Sequence, residues 1–166
     1  MSEERFTFFW NDPFSQWHPS PFEIDGTRYV TAEQYMMAEK ARLFDDQTTL
    51  AEILATDSPR EQKALGRRVA NFDAERWNAV AREIVLKGNR AKYAANPDLK
   101  ALLLETAGTT LVEASPFDRI WGIGLAADDP AALDRSRWRG TNWLGEVLTR
   151  VRDELIAEAA SAGEES

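Results

Sequence analysis

The chain has 166 residues, no cysteine, a single histidine (His18), and 28 Asp and Glu against 20 Lys and Arg, for a net charge of −8. Zero cysteine excludes disulfides, zinc–thiolate sites and thiol nucleophiles, and one histidine excludes a His-rich metal cage and argues against a Ser-His-Asp triad. The acid excess argues against a broad duplex-DNA face, whose affinity comes from Lys and Arg on phosphates, and the length suits one domain that buries enough surface to need no staple.

From the N-terminus, Phe6-Thr7-Phe8-Phe9-Trp10 is aromatic and β-prone, and Asn11-Asp12-Pro13 turns it. Pro19 and Pro21 keep the next stretch extended. Phe22-Glu23-Ile24, Asp25-Gly26 and Tyr29-Val30 read as a hairpin with a two-residue turn. Helices follow. Thr31 caps one from about Ala32 to Phe44, with Glu33 and Gln34 in its first turn. Thr48 to Ala55 is a short helix. Asp57 or Ser58 caps the next, with Pro59 at its first position, ending near Arg68. Asp73 caps a long helix through Trp77, Val80, Ile84 and Tyr93 that Asn96-Pro97 stops. Asp98 to Thr106 is helical, and Gly108 ends it. Thr109 to Ala114 is a strand, residues 115–139 are mostly loop, and a last helix runs from Thr141 or Asn142 to about Ala159. The expectation is α+β: a predominantly helical single domain over residues 1–160 with a small β element, followed by a frayed tail at 161–166. No apolar run reaches membrane-spanning length and no basic-then-apolar leader opens the chain, so a soluble, cytoplasmic protein with no membrane partner is expected.

The most informative helix is Ala32 to Phe44. At about 100° per residue, Ala32, Met36 and Leu43 fall within about 40° of one another, and Met37 and Phe44 sit roughly 80–100° further round. Lys40 and Glu33 lie between these groups, about 20° apart. A cation and a carboxylate thus occupy the centre of an apolar arc, where charges are rare unless paired or used. Two readings compete. Lys40 snorkels or forms an internal salt bridge with Glu33, although seven residues, about 10.5 Å of rise, separate them. Alternatively the arc faces a cleft, where loss of water lowers the lysine's proton affinity toward nucleophile range.

Two further segments carry chemistry. In Leu111-Val112-Glu113-Ala114-Ser115-Pro116-Phe117-Asp118-Arg119-Ile120-Trp121-Gly122-Ile123-Gly124, a strand delivers Glu113 to a loop that holds Asp118. Gly122 and Gly124 beside Trp121 allow backbone to approach a flat ligand; the alternative is a turn with capping carboxylates and a core tryptophan. In Trp138-Arg139-Gly140-Thr141-Asn142-Trp143-Leu144-Gly145, a glycine turn precedes a helix N-terminus, a place that can hold phosphate, as any capped helix start can. Neither a P-loop nor a dinucleotide fingerprint is present.

Taken in order, these segments resemble the NADAR family, also called YbiA-like. The matching features are Ser15-Gln16-Trp17 before Pro21 to Gly26; Thr31-Ala32-Glu33-Gln34-Tyr35-Met36-Met37 with Lys40; Leu65-Gly66-Arg67; Trp77; Leu111-Val112-Glu113; Asp118 with Trp121-Gly122-Ile123-Gly124; and Trp138, Gly140, Asn142 and Gly145 running to Arg152. They span residues 6–155. The YbiA branch looks like Ser-Asn-Phe where this chain has Ser15-Gln16-Trp17, and the Gln-Trp and Glu-Gln-Tyr-Met-Met forms look more like the broader NADAR branch.

The resemblance implies a YbiA-like fold and an N-glycosidase acting on ribosylated amines, with no cofactor and no metal. One branch removes ADP-ribose from the amino group of guanine, undoing a toxin's modification; the YbiA branch hydrolyses ribosylaminopyrimidine phosphates of riboflavin biosynthesis. Implied partners are ADP-ribosylated guanine, in nucleic acid or as a nucleotide, or another phosphoribosyl-amine, and a linked ADP-ribosyltransferase toxin. The matches make Lys40 the catalytic amine, with Glu33, Glu113 and Asp118 as carboxylates near the ribose. Gly140 and Asn142 meet phosphate or ribose, and Trp121 with Gly122 and Gly124 meets a base. Ser15, Gln16, Trp17 and Tyr35 complete the expected substrate contacts. Lysine as a Schiff-base former and carboxylate-assisted attack of water both remain open. A non-catalytic reader of ADP-ribose or NAD is the alternative from another class, and an interaction module built on the aromatic N-terminus is a third.

Overall fold

The structure, a computed structural model, describes residues 4–165. In chain order its elements are β1 (Phe6–Phe9), β2 (Phe22–Ile24), β3 (Thr27–Tyr29), α1 (Ala32–Leu43), α2 (Gln47–Leu54), α3 (Pro59–Gly66), α4 (Ala74–Ala95), α5 (Pro97–Leu104), β4 (Thr110–Glu113), two short 3-10 turns (Pro130–Leu133 and Arg135–Arg137) and α6 (Trp143–Glu165). The fold is α+β and dominated by its helices. The chain divides into two compact units, residues 16–97 and the residues on either side of that segment. Among the described residues no helix is long and apolar enough to cross a membrane.

In the unit of residues 16–97, β2 and β3 pair antiparallel, with Phe22 opposite Tyr29 and Ile24 opposite Thr27. Asp25 and Gly26 between them take φ of 52° and 81°, the two left-handed residues that a tight hairpin turn requires. Helix starts follow their caps: Thr31, Asp46, Ser58 and Asp73 each accept from a backbone N–H in the first turn of the next helix.

Helix α1 packs against α2, α3 and α4. Ala32 through Ala38 and Ala41 are all buried, so its first two turns are covered almost all round rather than along one stripe. Buried Gln34 ties this end of α1 down. Its Oε1 accepts from Val30 N at 2.8 Å, and its Nε2 donates to the carbonyls of Ile53 and Thr56. Thr31 Oγ1 donates to Gln62 Oε1 at 2.6 Å, and Gln62 Nε2 donates to the same Thr56 carbonyl.

In the other unit, β1 and β4 run parallel, from Phe6 opposite Thr110 to Phe9 opposite Glu113. Val112, Ile123, Leu125, Ala131 and Ala132 form the buried cluster, with Phe6, Phe8 and Trp138 against it. Helix α6 packs on β4. It continues to Glu165, past the expected end near Ala159, so residues 161–165 are helical where a frayed tail was expected; residue 166 lies outside the described residues. The segment 115–139, expected as mostly loop, contains the two 3-10 turns, each started by an aspartate cap, Asp129 and Asp134.

Asn142 joins these parts. It is fully buried, at a left-handed φ of 54°. Its Oδ1 accepts from Glu113 N and its Nδ2 donates to Leu111 O, both at 3.0 Å, and its own N–H donates to Gly122 O. A Cβ on Gly145 would collide with the Leu111 carbonyl and with the Asn142 side chain. Asn142→Ala should therefore lower unfolding free energy by about 2–4 kcal/mol, through two lost buried hydrogen bonds and a strained φ. Gly145→Ala should cost about 1–3 kcal/mol through overpacking. Urea denaturation checks both, and wild-type midpoints would show that these contacts do not hold β4.

Candidate active site

Lys40 leaves the last turn of α1 half-buried. Its Nζ lies 4.5 Å from the centre of the Phe72 ring and 5.9 Å from that of Trp77. It makes no ion pair or hydrogen bond among the described residues, so the expected alternative of a Lys40–Glu33 salt bridge is not formed. Loss of water pushes its pKa below the ordinary lysine value; Glu33 acts through space to raise it, and Arg67 to lower it further. Glu33 is only 6% exposed, and its backbone N–H donates to the carbonyl of Gln16. One helix thus carries a desolvated amine and, two turns earlier, a buried carboxylate.

The other residues expected at a ligand in this unit divide. Gln16 is structural: its carbonyl receives Glu33 N–H, and its Oε1 accepts from Asn89 Nδ2 of α4 at 3.0 Å. Tyr35 is 2% exposed and packs edge-on to Phe22 and Tyr29. Its ring fits over Gly88, where a Cβ would come within 2.6 Å. Tyr35 therefore belongs to the core and not to a ligand-facing surface. Its signal, an aromatic beside Glu33 in the matching segment, is the same as that of a ligand residue. Trp17 is 37% exposed, with Lys63 Nζ 5.9 Å above its ring. Sequence reasoning gave no role to Phe72, and it met the exposed Arg67, which follows α3, only within the Leu65-Gly66-Arg67 match and without a contact assigned to it.

In the other unit, Glu113 ends β4 half-buried. Its Oε2 is shut off from solvent, over Gly122, and its carbonyl receives Ile123 N–H. Asp118 Oδ1 accepts from Ile120 N and Trp121 N at 2.9 and 2.8 Å, and Asp118 N donates to Ser115 Oγ. Asp118 therefore caps its own turn while remaining partly exposed. Trp121 is half-buried, edge-on to Trp143 with ring centres 5.4 Å apart.

The glycines here serve a different purpose from the one expected. A Cβ on Gly122 would meet the Glu113 and Asp118 carbonyls at 2.9 and 3.0 Å, and one on Gly140 would run into Gly122 O and the Arg119 backbone. On the side where a Cβ would stand, these two glycines lie against other backbone. Gly124, at a φ of 71°, lies against Arg119 and Arg139. Asn142, expected on phosphate or ribose, spends both ends of its amide on β4 and is not available to a ligand. Ser15 ends the turn after β1, its N–H donating to Asp12 O. An open hollow of about 500 Å³ on α6 is lined by Glu146, Thr149, Arg150, Asp153, Glu154 and Ala157, and none of the expected site residues is on it.

The NADAR domain family matches residues 8–156. The chain is 47% identical over 146 residues to N-glycosidase R617 of Acanthamoeba polyphaga mimivirus, covering 85% of this chain and 86% of that one. It is 32% identical over 145 residues to N-glycosidase YbiA of Escherichia coli (strain K12), covering 87% and 82%. It is 30% identical to the Arabidopsis thaliana riboflavin biosynthesis protein PYRR, chloroplastic, over 82% of this chain but only 21% of that one. The solution structure of E. coli YbiA superposes with a TM-score of 0.78 at 29% identity, over 96% of this chain and 90% of that one. The chain belongs to the NADAR family, and it is a hydrolase of the N-glycosidase kind.

Proposed function

We propose that this N-glycosidase removes ADP-ribose from the amino group of ADP-ribosylated guanine, with Lys40 as the covalent catalyst. The observation that carries the reading is the Lys40 ammonium, half-buried over Phe72, outside any ion pair, with its proton affinity lowered mainly by loss of water. An amine in that state gives up its proton more readily than an ordinary lysine, and the neutral form is the nucleophile. It bonds to C1′ as the C1′–N bond to the base breaks, and the base nitrogen keeps the electron pair and takes a proton from a carboxylic acid. The glycosyl-lysine opens its ring to an imine, the ring oxygen taking up the amine's proton, and water hydrolyses the imine to free sugar and free lysine. Glu33 is the carboxylate on the same helix.

Support for a purine substrate comes from Trp17, an exposed indole beside Lys63, which offers a stacking face for a base. A second reading, hydrolysis of ribosylaminopyrimidine phosphates, is favoured by the similarity to the Arabidopsis protein named for riboflavin biosynthesis. Both substrates carry a C1′–N bond on a ribose with a 5′ phosphate. Parallel assays on an ADP-ribosylated guanine oligonucleotide and on ribosylaminopyrimidine phosphate separate them, and faster turnover of the pyrimidine would overturn the first reading. With a net charge of −8, the protein should grip ADP-ribose and one base but little of the strand. The plot of log affinity against log salt should then be no steeper than about −2. A steep slope would show that the strand itself is held.

Lys40→Ala should abolish turnover and leave the melting temperature unchanged or slightly higher, because a half-desolvated charge outside any ion pair adds no stability. Lys40→Arg should also be inactive, since a guanidinium keeps its proton. Borohydride during turnover should trap a sugar adduct on the peptide carrying Lys40. The rate should rise with pH through the lowered pKa of Lys40, because the neutral amine is the reactive form. An active Lys40→Arg enzyme with no adduct would leave attack by water.

Glu113→Gln and Asp118→Asn should fold, the latter because Asn keeps an Oδ1 acceptor for Ile120 and Trp121. Each should lower kcat by about 10²–10⁴ if its carboxyl moves a proton. Near-normal rates in both would leave the loop purely structural.

A further inference from the structure

Arg67 has no part in the chemistry above, yet α3 delivers it to the level of Lys40. The last residue of α3, Gly66, lies directly against Met37 of α1: a Cβ there would collide with the Met37 thioether. With no side chain between the end of α3 and α1 at that point, Arg67 emerges as the next residue, the C-cap. Met37 and Lys40 are neighbours one turn apart on α1. Lys63, one turn before Arg67 on α3, lies over Trp17.

Arg67 and Lys40 interact as like charges, which costs free energy. The guanidinium is exposed and makes no side-chain hydrogen bond or ion pair among the described residues. A bound anion removes the cost. The planar guanidinium matches a phosphate with two parallel hydrogen bonds, and both candidate substrates carry phosphate on the ribose whose C1′ is attacked.

We propose that Arg67 is the anchor for the 5′ phosphate of the substrate's ribose. The anchor rests on the glycosidase reading for its substrate but not for its test. Held there, the phosphate fixes the sugar beside the amine, so binding energy from a group remote from the broken bond orients the reacting carbon. In the free enzyme the same guanidinium helps keep the proton off Lys40. The charged groups that face Lys40 are Arg67 from the end of α3 and Glu33 from α1, while Phe72 and Trp77 offer uncharged rings.

Calorimetry with ribose 5-phosphate, ADP-ribose and plain ribose tests the anchor without turnover. Arg67→Gln should weaken the two phosphate ligands by about 10- to 100-fold, leave ribose unchanged and keep the wild-type melting temperature. Arg67→Lys should recover part of the loss. Equal losses for ribose, no loss for the phosphates, or no binding of either phosphate by the wild-type protein would overturn the proposal. The pH profile of kcat/KM gives a second readout: its rising limb should move to higher pH in Arg67→Gln, because Lys40 then holds its proton more tightly, and an unmoved limb would overturn that part. If binding follows the expected pattern while neither ribosylated substrate is cleaved, the anchor stands and the glycosidase reading falls.

Discussion

Withdrawing an ammonium from water is the constraint around which residues 16–97 are arranged. The faces of Phe72 and Trp77 offer Lys40 a cation–π contact worth about 0.5–2 kcal/mol. That is less than the hydration it replaces, so the deficit appears as a lowered proton affinity. Such a deficit persists only if the helix cannot roll its lysine back toward solvent. Gln34 and Gln62 prevent this with side-chain hydrogen bonds to the Val30, Ile53 and Thr56 backbone, and Gln16 and Asn89 pin the same helix start from the side of α4. The Gln34 and Gln62 amides are buried, so losing their partners would be costly.

The other unit holds its carboxylates by a different means. Three backbone segments, the end of β4, the 118–124 loop and residues 139–145, come together where Gly122, Gly140 and Gly145 have no side chains to keep them apart. Asn142 laces the three with one side chain and one backbone N–H. Glu113 therefore sits at the end of a strand held at Leu111 and Glu113 by Asn142, the residue before α6, and Asp118 is fixed by the turn it caps.

Much of this was legible in the sequence because it is local. Helix caps at Thr31, Ser58 and Asp73, the Asp25-Gly26 turn and the Asn96-Pro97 stop act within a few residues, and the structure has them where they were read. The parallel pairing of Phe6–Phe9 with Thr110–Glu113 was not legible, since two four-residue strands separated by most of the chain carry no local mark of their partner. The same limit applies to function. Tyr35 and Asn142 stand in segments that resemble ligand-binding motifs, while the structure buries both, Tyr35 among aromatic rings and Asn142 with its amide bonded to β4. The glycines announce close approach, but what approaches is decided by the fold. Arg67 stood in the Leu65-Gly66-Arg67 match but was given no role there, because its position beside α1 follows from Gly66 packing on Met37.

The spacing of Glu33 and Lys40 bears on which chemistry this arrangement favours. At a separation of four residues the two would lock into an ion pair, and the carboxylate would hold the lysine protonated and inert. At seven residues, about 10.5 Å of rise, they share a face but not a contact, so the acid acts on the amine only through its field. Carboxylate-assisted attack of water needs two carboxyl groups and a water, and gives the lysine no covalent part. The proposed nucleophilic amine would use each of these features: the rings beside it, the absent salt bridge, the second cation at the end of α3, and the carboxylate two turns away that acts through its field.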